Sequence, residues 1–114
     1  MNAANTLKVY YRLDEFKQPV SNDVQLTLYR ILQEQFNNIL KYANASSVFI
    51  SVRHYKDNIQ LSIKDDGEGF NLGRKKNGIG FENIKRRVEV LDGQVKIFSA
   101  PGDGCEVSVQ IPFR

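Results

Sequence analysis

The chain has 114 residues, of which 41% are hydrophobic and 25% are charged, with a formal net charge of +3 and a single cysteine, Cys105. This length suits one globular domain over residues 1–114 and excludes a second. The scattered positive charge argues against a dedicated nucleic-acid or membrane surface, and the lone cysteine excludes an internal disulfide. No apolar run approaches the roughly 18 residues of a membrane span and no signal peptide is evident, so we expect a cytoplasmic domain.

The N-terminal half of the chain predicts an extended segment followed by one long helix. Residues 7–16 are rich in aromatic and branched side chains, which suits a strand or an extended arm that ends before Pro19. Apolar residues then recur at spacings of three and four over residues 28–43. This periodicity predicts an amphipathic helix that begins at an N-cap, for which Asn22 and Asp23 are both suitable.

The C-terminal half alternates short apolar runs with turn residues, and one stretch has helical spacing. Together with the long helix, these elements predict a two-layer α/β sandwich in which the helices cover one face of a mixed sheet. The predicted elements are strands 48–52 and 59–63 around a turn at 57–58, a helix that stops at 92–93, and closing strands 94–99 and 105–111.

The long helix carries a first set of polar residues. At about 100° per residue, Glu34, Asn38 and Lys41 fall within an arc of roughly 60°, on the side away from the apolar residues. A carboxylate, a carboxamide and an ammonium group placed there can serve Mg²⁺, water and phosphate, because Mg²⁺ takes few protein oxygens when phosphates supply the rest. A solvated helix face with ion pairs is the alternative. Consecutive asparagines at 37 and 38 weaken that alternative, because asparagine is a poor helix former.

A second set follows the strand at 59–63. Asp65 comes at the end of this apolar run, and Gly67 and Gly69 follow at a spacing that lets the backbone turn sharply or pass close to a flat ligand. A carboxylate there can accept a hydrogen bond from the amino group of adenine, whereas guanine would present a carbonyl to it. The alternatives are an acidic turn or a calcium loop, although the segment lacks the alternating oxygen ligands and closing glutamate of a calcium loop.

A third set precedes the second helix. Gly78, Ile79 and Gly80 lie where free backbone N–H groups and the helix dipole suit an anion. The set is not a P-loop, since no lysine followed by serine or threonine completes it. The polar and basic segment 71–77 could close over a triphosphate as a lid. A flexible loop before a helix is the alternative.

In this order, the three sets resemble the ATP-binding catalytic domain (HATPase_c) of bacterial sensor histidine kinases, a member of the GHKL superfamily. The resemblance covers residues 26–114, with 34–42 similar to the N box, 65–70 to the G1 box, 78–83 to the G2 box and 102–104 to the final glycine turn. The individual residues of these segments are similar to those of the nitrate-sensor-like kinases that pair with LuxR-type response regulators. The resemblance implies the Bergerat ATP-binding fold.

The resemblance also implies an activity and the residues that carry it. The domain would bind MgATP and donate its γ-phosphate to a histidine on a separate dimerisation domain, as a protein histidine kinase with little activity in isolation. Asn38 would be the Mg²⁺ ligand, and Glu34, Asn38 and Lys41 the catalytic residues. The implied nucleotide-binding residues are Asn38, Lys41, Tyr42, Asp65, Gly67, Gly69, Phe70, Gly78, Ile79, Gly80 and Phe81.

The implied partners are the histidine-bearing dimerisation domain and a response regulator. No contact with nucleic acid or membrane is implied, and the isolated domain is expected to be a monomer from a parent protein that could be membrane-anchored. His54, the only histidine of the chain, lacks a helical acidic context and is expected to be a surface strand residue. Two alternatives stay open: an anti-sigma serine kinase, which would share the site but dock a protein serine, and a non-catalytic module that recruits a partner when nucleotide binds.

Overall fold

A computed structural model describes residues 7–16, 19–55, 57–69 and 81–112, with the backbone alone described at Tyr42. These residues form a sheet and two helices, and the longer helix ends in a π-helical turn. The elements are β1 (Lys8–Leu13), α1 (Asn22–Asn38), the π-helical turn (Ile39–Ala43), β2 (Ser47–Tyr55), β3 (Asn58–Asp65), α2 (Phe81–Val90), β4 (Gln94–Ser99) and β5 (Cys105–Pro112).

The five strands form one mixed sheet in the order β1-β2-β3-β5-β4. β1 runs parallel to β2 at one edge, and the other neighbouring strands pair antiparallel. The extended segment at 7–16 is therefore an edge strand, and the hairpin predicted around 57–58 is confirmed as β2 and β3. Neither described helix has the length and apolar character that crossing a membrane requires.

The helices cover only one face of the sheet. Along β3 and β5, alternate side chains are fully buried and the intervening ones are mostly half-buried and polar, as expected for a sheet with one solvated face. On the solvated face, Ser62 donates to the Glu106 carboxylate at 3.1 Å. The predicted two-layer sandwich is therefore confirmed. Its buried apolar core consists of Val24, Ile31, Ile39, Val48, Ile59, Leu61, Ile63, Phe81, Ile84, Val88, Cys105, Val107, Val109 and Ile111.

The two ends of α1 differ from the prediction. The N-cap is Ser21 rather than Asn22 or Asp23, because Ser21 has extended backbone angles and its hydroxyl accepts from the N–H of Val24 at 3.2 Å. At the other end, α-helical geometry stops at Asn38, and the chain continues as the π-helical turn until Asn44 adopts a left-handed conformation with φ of 51°. π-helical turns inside helices occur frequently at functional sites.

Candidate functional site

A buried carboxylate lies at the C-terminal end of β3. Asp65 is only 1% exposed, and its Oδ1 accepts from the N–H of Gly67 at 2.8 Å. Its Oδ2 is buried without a hydrogen-bond partner among the residues that the structure describes. Burial raises the pKa of Asp65 above its ordinary value, and the charge of Asp66 adds to this rise; the backbone N–H of Gly67, and more weakly that of Cys105, opposes it. Because buried polar atoms are rarely left unpaired, this oxygen is suited to an external hydrogen-bond donor.

The surroundings of Asp65 form a corner of three closely packed segments: residues 43–47, 65–69 and 100–104. A Cβ on Gly67 would overlap the carbonyl oxygen of Ala43, and one on Gly69 would overlap that of Ala100. A Cβ on Gly104, which has a φ of 70°, would overlap the carbonyl oxygen of Asp65 itself. The predicted need for glycine at 67 and 69 therefore has a cause in the protein's own backbone. We call this region the Asp65 corner.

Asp66, which the sequence did not mark as a site residue, faces a different loop from Asp65. Its Oδ1 accepts from the backbone N–H groups of Ser46 and Ser47, both at 2.9 Å. These hydrogen bonds, that of Ser47 first, hold the pKa of Asp66 below its ordinary value. Adjacent carboxylates in one turn thus have opposite environments. The pair of aspartates before the glycine is the only sequence signal of this arrangement.

Glu34 lies between the two helices rather than on an open face. Its Oε2 accepts from Nδ2 of Asn83 at 3.4 Å, and its Oε1 lies 3.9 Å from Nε of Arg87. Both contacts are long, and the side chains of Glu34 and Arg87 are 23% and 36% exposed to solvent. The sequence gives no sign of the contact with Arg87, because a contact between distant helices leaves no local pattern. We call this region the α1–α2 interface.

The structure adds two details to the predicted polar stripe. First, Asn38 is half-buried beside the core, where its Nδ2 donates to Oε1 of the buried Gln35 at 3.2 Å. This contact leaves the carboxamide oxygen of Asn38 as the atom suited to a cation. Second, Lys41 is exposed within the π-helical turn, where a rotation of 100° per residue no longer applies.

The remaining predicted site residues divide into those the structure describes and those it does not. Phe81 begins α2 and is only 4% exposed, so its side chain belongs to the core. Across the described ranges, no group of three or more His, Cys, Asp or Glu could hold a metal ion, so Mg²⁺ at Asn38 would rely on phosphate and water oxygens. Outside the described residues lie Phe70, Gly78, Ile79, Gly80 and the 71–77 segment, together with the side chain of Tyr42.

Comparison with known proteins finds similarity over most of the chain. A family model described as "Histidine kinase-, DNA gyrase B-, and HSP90-like ATPase" matches residues 23–114. The signal transduction histidine-protein kinase/phosphatase DegS of Brevibacillus brevis is 38% identical over 91 residues, covering 79% of this chain and 24% of DegS. The protein of the same description named UhpB, from Salmonella typhimurium, is 36% identical over 104 residues, covering 91% of this chain and 20% of UhpB. The chain therefore spans about a quarter or less of these relatives.

Solved structures resemble the chain as well. The blue-light activated histidine kinase EL346 of Erythrobacter litoralis gives a TM-score of 0.81 at 20% identity, covering 94% of this chain and 35% of that one. Full-length ShkA, solved in complex with AMPPNP, gives a TM-score of 0.79 at 18% identity, covering 96% of this chain and 26% of that one. At these identities the likeness shows a shared fold.

Proposed function

We propose that this chain, which belongs to the histidine kinase-, DNA gyrase B- and HSP90-like ATPase family, binds MgATP and donates the γ-phosphate to a histidine on a separate dimerisation domain. The relatives DegS and UhpB are both described as histidine-protein kinases. The chain's one histidine, His54, lies in strand β2 and so lacks the helical acidic context expected of an acceptor. The acceptor in this proposal is therefore a histidine outside this chain.

The observation that supports nucleotide binding most directly is the unpaired oxygen of Asp65. An adenine amino group would supply the donor that Oδ2 lacks among the described residues, while Gly67 continues to occupy Oδ1. A hydrogen bond to a charged group contributes about 1.5–3 kcal/mol, which is roughly a tenfold to hundredfold effect on affinity. Guanine would place a carbonyl oxygen against the carboxylate, so the same atom discriminates between the two bases.

Phosphoryl transfer depends on positioning and charge neutralisation more than on covalent protein chemistry. Mg²⁺ would neutralise charge on the phosphates when bound, and the carboxamide oxygen of Asn38 would hold it. Lys41, exposed at the end of the long helix, would bind a phosphate oxygen. Glu34, held loosely at the α1–α2 interface, would orient the acceptor histidine.

The finer resemblance extends the proposal to partners. A nitrate-sensor-like kinase would pass its phosphate from the acceptor histidine to a LuxR-type response regulator. The chain, taken as one domain over residues 1–114, would be a monomer by itself, and the dimerisation domain would bring two copies together. Light scattering of the purified chain tests the monomer, and transfer to a purified regulator tests the partner.

Calorimetric titration is the first test of nucleotide binding. Wild-type protein and the Asp65→Asn variant are titrated with ATP, with and without Mg²⁺, and with ADP and GTP. Saturable binding of ATP and ADP, absence of GTP binding, and at least a tenfold loss in the variant are expected. A well-folded wild-type chain that binds no nucleotide would overturn the proposal and favour a non-catalytic interaction module.

Phosphotransfer is tested separately. Radiolabelled ATP is incubated with the chain and an added histidine-bearing dimerisation domain from a related kinase, and the label is followed on that domain. Acid-labile, base-stable label that disappears when the acceptor histidine is replaced is expected. Label on an added protein serine instead would favour the anti-sigma kinase alternative.

A further inference from the structure

Asp66 neighbours the carboxylate proposed to bind adenine, but its own contacts are with the start of β2. Oδ1 of Asp66 accepts from the N–H groups of Ser46 and Ser47 at 2.9 Å each. The N–H of Asp66 donates in return to the carbonyl oxygen of Ser47 at 3.2 Å. One residue thus holds the backbone of the neighbouring segment by both its side chain and its main chain.

The two residues after Asp66 hold the preceding part of the same segment. The N–H of Glu68 donates to the carbonyl oxygen of Ala43 at 2.8 Å, and Oε2 of Glu68 accepts from Nδ2 of Asn44 at 3.2 Å. Gly67 lies so close to the carbonyl of Ala43 that a Cβ would overlap it. Residues 65–69, which we call the 65–69 loop, therefore bond to four of the five residues of 43–47.

The segment that Asp66 holds is continuous with the polar end of the long helix. Ala43 is the last residue of the π-helical turn, Lys41 lies within that turn, and Asn38 directly precedes it. The left-handed conformation of Asn44, with φ of 51°, then directs the chain into β2. The only covalent path from Asn38 and Lys41 to the start of β2 therefore passes through the segment bonded to the 65–69 loop.

We propose that Asp66 is a positioning residue that fixes the 65–69 loop against the end of the long helix, and so sets the separation between the adenine and phosphate ends of bound MgATP. The inference rests on the proposed function, because Asp65 serves adenine and Asn38 and Lys41 serve Mg²⁺ and phosphate only if that function is correct. Two backbone donors on one ionised oxygen make this a charge-assisted clasp, stronger than one between neutral groups. Asp66 itself touches neither end of the nucleotide in this proposal.

The first experiment compares a ligand that spans both ends with one that reaches only the adenine end. MgATP is titrated by calorimetry and adenosine by NMR into the wild type, Asp66→Ala, Asp66→Asn and the control Asp57→Asn, an exposed aspartate at the opposite end of the β2–β3 hairpin. Asp66→Ala should lower the affinity for MgATP at least tenfold and that for adenosine less than threefold. Asp66→Asn, which keeps a carbonyl acceptor in place, should stay within threefold of the wild type for both, and the control should change neither.

The second experiment examines the clasp without nucleotide. Amide hydrogen exchange at Ser46 and Ser47 should be at least tenfold faster in Asp66→Ala than in the wild type, and intermediate in Asp66→Asn. Unchanged exchange in folded Asp66→Ala would overturn the clasp. Faster exchange with equal losses of adenosine and MgATP would overturn the positioning role alone. Failure of the wild type to bind either ligand would overturn the proposed function and the positioning role together, while the exchange rates would still decide the clasp.

Discussion

The Asp65 corner and the α1–α2 interface differ in what holds them together. In the corner, backbone N–H groups donate to the carboxylates of Asp65 and Asp66 at 2.8–2.9 Å. At the interface, Glu34 meets Asn83 at 3.4 Å and Arg87 at 3.9 Å through side chains alone. The fold fixes the backbone donors of the corner in place before any ligand binds. The partly exposed side-chain pairs of the interface can rearrange at little cost in free energy. The difference indicates that the adenine end of the proposed site is preformed, whereas the α1–α2 interface, where Glu34 would orient the acceptor histidine, is adjustable.

The largest expected effect comes from breaking the corner at Gly104. Gly104→Ala should reduce the free energy of unfolding by about 3 kcal/mol, because the new Cβ would overlap the carbonyl of Asp65 at a left-handed φ of 70°. Gly102→Ala is the matched control: its φ is 85°, but nothing lies within 4 Å of the added Cβ, so strain alone should cost about 1 kcal/mol. Equal losses in urea denaturation would show that the corner is not tightly packed.

Asp65→Asn should separate binding from stability. Affinity for ATP should fall at least tenfold, yet the nucleotide-free variant should be more stable than the wild type at neutral pH by on the order of 1 kcal/mol, because a buried, incompletely paired charge is removed. Asp57→Asn, at an exposed turn, is the control. A nucleotide-free variant that is less stable than the wild type would mean that the carboxylate is already satisfied.

The stability difference at position 65 should depend on pH. Since the folded-state pKa of Asp65 is raised above its unfolded value, its favourable contribution is complete below the unfolded pKa and is lost as pH rises through the folded pKa. The advantage of Asp65→Asn should therefore shrink as the pH falls from neutral towards the acidic range. Asp66, whose pKa is lowered, contributes in the opposite sense: its stabilisation is present above the unfolded pKa and is lost as pH falls through the folded pKa. Denaturant titrations of Asp65→Asn and Asp66→Asn at several pH values measure whether the stability of each variant relative to the wild type rises or falls with pH.

Asn38→Ala sharpens the comparison at the phosphate end. Affinity for ATP should fall about tenfold in the presence of Mg²⁺ and change little in its absence, because the carboxamide oxygen is proposed to act through the cation. Asn37→Ala, on the exposed side of the same helix, should have no effect on either measurement. Calorimetry with and without Mg²⁺ provides the readout. An equal loss under both conditions would assign Asn38 to the nucleotide or to helix packing rather than to the metal.

The smallest effect is expected at the α1–α2 interface. A double-mutant cycle with Glu34→Gln and Arg87→Met should give a coupling free energy below about 0.5 kcal/mol in unfolding, since the pair is long and partly exposed. A coupling above roughly 2 kcal/mol would show that this interface is as firmly bonded as the Asp65 corner.

Much of the fold could be predicted because its signals are local. Short apolar runs separated by turn residues marked β2, β3, β4 and β5, and apolar residues at helical spacing marked both helices. The helix ends were harder, since Ser21, Asn22 and Asp23 all suit an N-cap and only the backbone angles decide among them. The π-helical turn was missed because its residues suit an ordinary helix; the widened geometry accompanies the bonds from 65–69 to 43–47.

The candidate site, like the fold, could be predicted only where its signals are local in sequence. Asp65 and its glycines lie in one short segment, so the sequence alone shows a carboxylate next to a tight turn. Burial of the carboxylate follows from the apolar strand before it. The clasp from Asp66 joins residues 19 and 20 positions apart, and the contact from Asn83 to Glu34 joins residues 49 apart. No local pattern encodes such pairs, so only the packed structure identifies them.

The π-helical turn determines how the chain tolerates insertion and deletion. Its hydrogen bonds span five residues where an α-helix spans four, so the turn holds more chain per revolution than the helix it ends. Removing one residue between 39 and 43 would let the stretch close as an ordinary α-helical turn of nearly the same rotation, so we expect the following segment to keep its partners in the 65–69 loop. The turn is therefore the place in this helix where the loss of a single residue should disturb the neighbouring elements least when the protein is redesigned or recombined with another domain.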